Sequence, residues 1–377
     1  MKTTCLIKPL EYKSIVWFAA PNQYVIVEKA AAAIIAKIHN KTPLKNIVKD
    51  LKNEMPISSK EAQQLAEDLQ DFYLEKSHKL SAKNTKDYKD INIADAFKYV
   101  KYYKINELVI KVAYESELEL ELLHLKFAHL ELKKSAKATH TFSVFKKYGE
   151  LLLYVNNCFI GAWKSDETHY FQGKFSMELV QALYQKKESQ WLGVFHASAV
   201  AKNEKCMLFL GDSGNGKSTS LALLQAHGFE CIADDFVPVD AELQQVYKFP
   251  AAISIKRNSL AVLSPFYPEL EQSEEFHLKQ LEKHVRYLPP VQQQSSMHRP
   301  CEGFVFIKYD AKAAFSCAQI SNVKAFEKII PDSWLSPLAE NAAAFLDWCS
   351  ERPCYELIYN DTSEMISEVN KLFNNDL

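Results

Sequence analysis

Glycine is scarce in this chain: there are nine in 377 residues. Three of the nine fall within one short loop, at Gly211, Gly214 and Gly216, so the backbone freedom they supply is concentrated at one place. Charge of either sign is not in excess. With 45 basic and 47 acidic residues and a formal net charge of −2, there is no electrostatic case for nucleic acid or for an anionic membrane surface as partner. The lysine-rich runs over 37–52 and 83–89 are interleaved with acids and apolar residues, and they read as a solvated helix face and a linker. None of the eight cysteines forms a C-x-x-C pair, which argues against a zinc site. Cys206 and Cys231 lie in apolar runs and read as buried free thiols, a pattern that fits a reducing cytoplasm. No window of membrane-spanning length is apolar throughout. The first twenty residues carry Lys2, Lys8, Glu11 and Lys13 and no clean apolar stretch, so neither a span nor a signal peptide is expected. No internal repeat or low-complexity tract is visible; Gln292–Ser296 reads as a mobile loop.

What is present is ordinary globular material, 47% hydrophobic, and enough of it for two domains. The chain divides at about residue 84 and again near 190. In the first part, "SIVWF" and "YVIVEK" flank Ala20, Pro21, Asn22 and Gln23 as a hairpin would. Three helical patterns follow. One covers Lys29–His39, with Ile34, Ile35 and Ile38 on one face. The next starts at Thr42 and Pro43, an N-cap followed by proline at the first helical position, and carries Ile47, Val48 and Leu51. The third starts at Ser58, where Glu61 completes a capping box, and has the stripe Ala62, Leu65, Ala66, Leu69, Phe72 and Tyr73. A hairpin with three short helices is a winged-helix-like α+β plan. Residues 81–90 are polar and read as a linker. From about 99 to 165 the chain is read as strand-rich, including the period-two alternation of Glu117–Leu122, and 175–190 as helical.

The glycine loop follows "KCMLFL", an apolar run of strand length, and precedes "TSLALLQAH", a helical pattern with Leu221 and Leu224 on one face and Gly228 as C-cap. Gly211, Asp212, Ser213, Gly214, Asn215, Gly216, Lys217 and Ser218 fit G-x-x-x-x-G-K-[ST], and Thr219 continues the helix start. Small residues let successive backbone N–H groups turn inward around an anion. Lys217 supplies a point positive charge for β- and γ-phosphates, the Ser218 hydroxyl is a ligand for Mg²⁺, and the helix directs its positive end at the phosphates. The next apolar run, "FECIADDF", ends at Asp234 and Asp235. In an open parallel sheet, strand carboxyl ends face the ligand. Adjacent residues point to opposite faces, so the two acids are expected to do different work: one assisting Mg²⁺, the other taking a proton from an incoming hydroxyl. His196 stands one strand-and-turn unit before the loop.

These residues resemble the catalytic domain of HPr kinase/phosphorylase and its relatives. In that family a histidine lies 21 residues before the loop lysine, and an Asp-Asp pair lies 17 and 18 after it; His196, Lys217, Asp234 and Asp235 reproduce this spacing. The match covers about 40 residues, His196 to Val237, with weaker similarity over "FPAAISIKRNSL" and "RYLPP…FVFIKYD". The resemblance implies an α/β fold with a P-loop core around a central β-sheet. It makes Asp235 the general base, with His196 beside the phosphates, Lys217 binding them, and Ser218 and Asp234 toward the metal. Lys256 and Arg257 are read either as phosphate contacts or as a surface basic pair. The family's metal-binding glutamate segment is not found downstream, and its glycine-containing phosphorolysis signature is missing, which argues against HPr as substrate and against the reverse reaction. The N-terminal part resembles PqqD-like domains, which recognise leader segments of ribosomally made peptides. Together these imply residues 1–84 as a peptide-recognition domain and 85–377 as a kinase domain, made of a strand-rich entry over 95–190, a P-loop core over 191–320 and C-terminal helices and strand over 321–377. The expectation is an ATP- and Mg²⁺-dependent transfer of the γ-phosphoryl group to a serine or threonine hydroxyl on a peptide or protein. A small hydroxyl metabolite as acceptor and a nucleotide-binding regulator that transfers nothing remain as alternatives. The family forms oligomers, so self-association is expected.

Overall fold

A computed structural model of the chain describes residues 5–77, 88, 97–134, 136–278, 283–291 and 296–374. The linker expected over 81–90 and the loop expected over 292–296 lie, but for Tyr88 and Ser296, outside the described residues. The architecture is mixed α/β, with several sheets and two compact units, Met1–Thr85 with Gln319–Cys354, and Lys86–Ala318 with Tyr355–Leu377. Among the described residues no helix is long and apolar enough to cross a membrane.

The first unit opens with an antiparallel sheet of β1 (Cys5–Pro9), β2 (Lys13–Phe18) and β3 (Gln23–Glu28), in that order. The hairpin read from the sequence is β2–β3. Its turn is closed by Asn22, whose φ of 50° is one that asparagine tolerates and whose side-chain oxygen accepts from Trp17 Nε1 at 2.8 Å. Strand β1 was not foreseen. Helices α1 (Lys29–His39), α2 (Leu44–Glu54) and α3 (Ser59–Ser77) follow. Pro43 is the cap of α2 and not its first residue; its carbonyl accepts from Asn46 and Ile47. Ser58 and Glu61 form the reciprocal box that starts α3, at 2.7 and 3.3 Å. Ile34, Ile47, Leu51, Ala62 and Ala66 make one buried cluster, and Val16, Phe18 and Ile35 another, onto which Phe72 and Tyr73 pack.

The segment Gln319–Cys354 was assigned by sequence to the second domain, yet it belongs to this first unit. It carries helices Asn322–Ile329 and Ala339–Ser350, whose Phe326 and Phe345 are fully buried. Glu11 Oε1 accepts from the Asn322 N–H at 2.7 Å, Asn22 Nδ2 donates to the Leu335 carbonyl at 2.8 Å, and Tyr24 meets Phe345 edge-on with centroids 5.4 Å apart. These apolar helix faces are covered by residues some 300 positions away, and no local pattern announces that.

In the second unit, β4 (Tyr99–Ile105), β5 (Leu108–Tyr114), β6 (His140–Lys147), β7 (Glu150–Val155) and β8 (Cys158–Lys164) form a five-stranded sheet in chain order. Between β5 and β6 lies α4 (Glu117–Phe127), in the stretch whose alternation suggested a strand. Leucine and glutamate are both good helix formers. Ser116 starts the helix, its N–H donating to Glu119 Oε2 at 2.7 Å. The buried positions are Glu119, Leu123 and Phe127, spaced four apart. Helix α5 (Thr168–Tyr184) begins earlier and ends earlier than the helix expected over 175–190.

The central sheet uses β9 (Trp191–Phe195), β10 (Ser198–Lys202), β11 (Lys205–Leu210), β12 (Glu230–Asp234), β13 (Val237–Asp240), β14 (Gln245–Tyr247) and β18 (His298–Tyr309), in the order β12-β10-β11-β18-β14-β13-β9. Strands Cys354–Tyr359 and Ser316–Gln319 extend it beside β18. A small sheet of β15 (Ile253–Lys256), β16 (Phe276–Leu278) and β17 (Lys283–Leu288) accompanies it. The open parallel sheet expected around the loop is corrected. β11 pairs parallel with β18, but β10 pairs antiparallel with both β11 and β12. The reason is local: β10 and β11 are joined by only Asn203 and Glu204, both with φ near +60° (51° and 65°), and a two-residue turn of that kind returns the chain antiparallel.

Candidate functional site

Strand β11 is buried from Cys206 to Leu210, and the glycine loop leaves its carboxyl end. Gly211, Gly214 and Gly216 have φ of 147°, 100° and 91°. At Gly211 a Cβ would sit 2.7 Å from the Ile307 carbonyl oxygen, so the close approach of β11 and β18 also demands glycine there. Asn215 N–H donates to Asp212 O at 3.1 Å and Asn215 O accepts from Tyr309 N–H at 3.0 Å, which holds the loop against the end of β18. Helix α6 (Lys217–Ala226) starts at once, with Gly216 as its left-handed cap. It ends as the sequence indicated: Gly228 has φ of 86°, its N–H donates to Gln225 O, and Phe229 N–H donates to Leu224 O. Leu221 and Leu224 are both buried.

Lys217 is buried, and its ammonium donates to the Gly211 carbonyl and lies 3.5 Å from that of Asp212. It therefore folds back onto the first two residues of the loop. Thr219 Oγ1 is 2.7 Å from Ser259 Oγ, and Ser220 Oγ is 2.9 Å from Tyr359 Oη, so the first turn of α6 is pinned on two sides. Ser218 Oγ donates to Asp234 Oδ1 at 3.1 Å, which joins the loop helix to the end of β12.

The two adjacent acids have separate partners. Asp234, buried, also accepts from Ser198 Oγ at 2.7 Å and, on its other oxygen, from the Ser254 N–H at 3.3 Å. Burial, with the charge of Asp235 beside it, raises its carboxyl above the usual carboxylate range; the three hydrogen bonds pull the other way. Asp235 has φ of 69°, and its side chain turns to Lys126 Nζ at 2.7 Å and to His196 Nδ1 at 2.9 Å. The Lys126 ammonium holds that carboxyl well below the usual range against the effect of burial, with His196 adding to it. For Lys126, burial works against the charge, but Asp235 outweighs it and the ammonium is held above its ordinary value.

Of the residues named from sequence, Ser218 and Asp234 meet, His196 and Asp235 meet, and Lys217 closes on the loop. Arg257 is committed elsewhere: with Arg286 it clamps Glu275. Sequence reasoning missed Lys126, Ser198, Ser254 and Tyr359. Ser198 lies inside the "HASAV" stretch and Ser254 inside "FPAAISIKRNSL", both singled out as segments; nothing near Lys126 marks it, 109 residues before Asp235. Among the described residues, no group of three or more His, Cys, Asp or Glu side chains is arranged to hold a metal ion.

No family model and no curated protein matches the chain. Among solved structures, the chain is similar to the Hpr(Ser) kinase/phosphatase from Coxiella burnetii, at 9% sequence identity and a TM-score of 0.23, over 48% of this chain and 95% of that one.

Proposed function

We propose that the second unit is an ATP-dependent phosphotransferase that moves the γ-phosphoryl group to a serine or threonine hydroxyl. The observation that carries this reading is the Ser218–Asp234 contact at 3.1 Å. It links the first turn of a helix that follows a glycine-rich loop to a buried carboxylate at the end of a neighbouring strand. Loop N–H groups and the Lys217 ammonium take the phosphate tail, the ammonium exchanging its loop carbonyls for phosphate oxygens. Ser218 Oγ and Asp234 Oδ1 are two hard oxygen donors side by side, and these are the residues that would hold Mg²⁺. Bound there, the cation would neutralise charge on the β- and γ-phosphates. His196 and Asp235 stand together as the pair that faces the acceptor and receives its proton.

A peptide acceptor held by the first unit is the substrate class we favour. In the sheet of that unit, β1 and β3 are the outer strands, and an extended peptide adds to such an edge through main-chain hydrogen bonds. The grouping of Gln319–Cys354 with Met1–Thr85 changes how this is tested. Deleting residues 1–84 would strip a partner from those C-terminal helices, so point substitutions in the intact chain are needed.

The test uses the full chain with ATP labelled on the γ-phosphate, Mg²⁺ and a pool of serine- and threonine-containing peptides. Calorimetry should show ATP binding that Lys217→Ala weakens by roughly tenfold or more, the removal of a charge-assisted contact of about 1.5–3 kcal/mol. Mass spectrometry should show one added phosphate on a peptide. No ATP binding by the wild-type chain would sink the reading.

A further inference from the structure

Asp235 is a weaker proton acceptor than a free carboxylate, because each of its oxygens already accepts one hydrogen bond, one of them from the Lys126 ammonium. Lys126 Nζ donates to Oδ2 at 2.7 Å, and His196 Nδ1 lies 2.9 Å from Oδ1. A carboxylate only accepts, so Nδ1 of His196 must carry the hydrogen of that bond. In the neutral ring the lone pair then sits on Nε2. His196 and Asp235 are about equally exposed at their side chains, at 42% and 40%, and Lys126 lies further in, at 29%.

The three residues are held in place by packing. Lys126 is the penultimate residue of α4 and Asp235 follows β12. The residue after each, Phe127 and Phe236, packs on the same ring, Phe249, with centroids 5.9 and 4.6 Å away. The Lys126 carbonyl accepts from the Ala252 N–H at 2.8 Å, and the Asp235 N–H donates to the Ala197 carbonyl, next to His196, at 2.9 Å. The ion pair is thus bracketed by an aromatic cluster and by two backbone bonds.

We infer that Lys126, Asp235 and His196 form one proton-accepting chain, in which Lys126 anchors Asp235, Asp235 fixes the tautomer and direction of His196, and His196 Nε2 receives the proton of the acceptor hydroxyl. This rests on the phosphotransfer reading and deepens it. In the step, the acceptor O–H bond breaks and its proton goes to Nε2. The hydroxyl oxygen forms a bond to the γ-phosphorus of the nucleoside triphosphate, and the bond from that phosphorus to the bridging oxygen breaks, releasing the diphosphate. The imidazolium, facing the Asp235 carboxylate, then returns its proton to solvent. His196 is the catalytic residue; Asp235 and Lys126 are positioning residues.

Two measurements on the full chain test this. The first is the tautomer of His196, read from ¹⁵N shifts in protein labelled at histidine and assigned with His196→Asn. Protonated Nδ1 with bare Nε2 is expected, and the reverse tautomer overturns the chain. The second is transfer of labelled γ-phosphate from MgATP to the pooled peptides and to water, counted together. His196→Asn keeps a donor for Asp235 but has no base; it should lower kcat by about 10²–10⁴-fold with ATP affinity unchanged. Lys126→Met should lower kcat by roughly tenfold and blur the His196 tautomer, and Lys126→Arg should restore most of both. If His196→Asn keeps kcat within about threefold of wild type, Nε2 is not the acceptor. If the wild-type chain transfers no phosphate at all, the phosphotransfer reading fails and the acceptor role with it, while the tautomer still reports whether Asp235 orients His196.

Discussion

Asp234 and Asp235 are consecutive in the chain, yet one carboxylate is bound by neutral donors from Ser198, Ser218 and Ser254 and the other by Lys126 and His196. Asp234→Ala removes the acceptor from buried hydroxyls and an N–H, and should destabilise the unit by about 1–3 kcal/mol. Asp235→Asn leaves a half-exposed pair, where water screens the loss, and should destabilise it less. Urea denaturation of the two variants checks the order; a larger loss for Asp235→Asn would count against this division of partners.

Gly211 and Gly214 both have positive φ, but their surroundings differ. Alanine at Gly211 would meet the Ile307 carbonyl at 2.7 Å, whereas nothing lies within 4 Å of a Cβ at Gly214. Strain at such a φ is about 1–3 kcal/mol at either place, and the clash adds to it at Gly211 alone. Gly211→Ala is expected to lower the melting temperature more than Gly214→Ala and to weaken ATP binding more, as thermal scans and calorimetry would read.

Glu275 supplies a pH-dependent tie. Arg257, lying 3.1 Å from both its oxygens through Nε, lowers its carboxyl from 4.5 to about 2, against burial and with help from Arg286. A depressed carboxyl pKa gives stability that is present above the unfolded value and lost as the pH falls through the folded one. The clamp should therefore stabilise fully above about 4.5 and fade toward about 2. Glu275→Gln should lower the melting temperature near neutrality and lose that effect as the pH approaches the folded value; a difference that stays constant with pH would contradict it.

Glu119 holds the start of the helix that ends at Lys126. Its carboxylate accepts from both the Ser116 N–H and the Ser116 hydroxyl while buried. Glu119→Ala should destabilise the unit by about 1 kcal/mol, the scale of a lost helix cap, and should lower phosphate transfer by loosening Lys126. A loss of stability with transfer intact would separate the cap from the site.

The hairpin turn at Asn22, the start of α3 at Ser58, the glycine loop and the end of α6 at Gly228 were legible because each is a local requirement: a positive φ, a cap or a short turn. Glu117–Phe127 was equally local and was misread. Its alternation of leucine and glutamate matches period two over six residues, and only the Ser116–Glu119 cap and the four-residue spacing of buried positions reveal the helix. The mixed sheet was missed for a related reason: the two-residue turn at Asn203 and Glu204, which reverses β10 into β11, uses residues that are not glycine.

The sequence by itself determined a strand, a glycine-rich loop and a helix in succession, and a pair of acids set to diverge, since backbone dihedrals and strand geometry act over a few residues. Only the tertiary structure decided that Lys126 would meet Asp235, that Ser254 would meet Asp234, and that Gln319–Cys354 would pack with the N-terminal sheet. Those meetings join residues far apart in the chain. They depend on which buried faces close on one another across long loops, and no side chain carries a mark of that in its own neighbourhood.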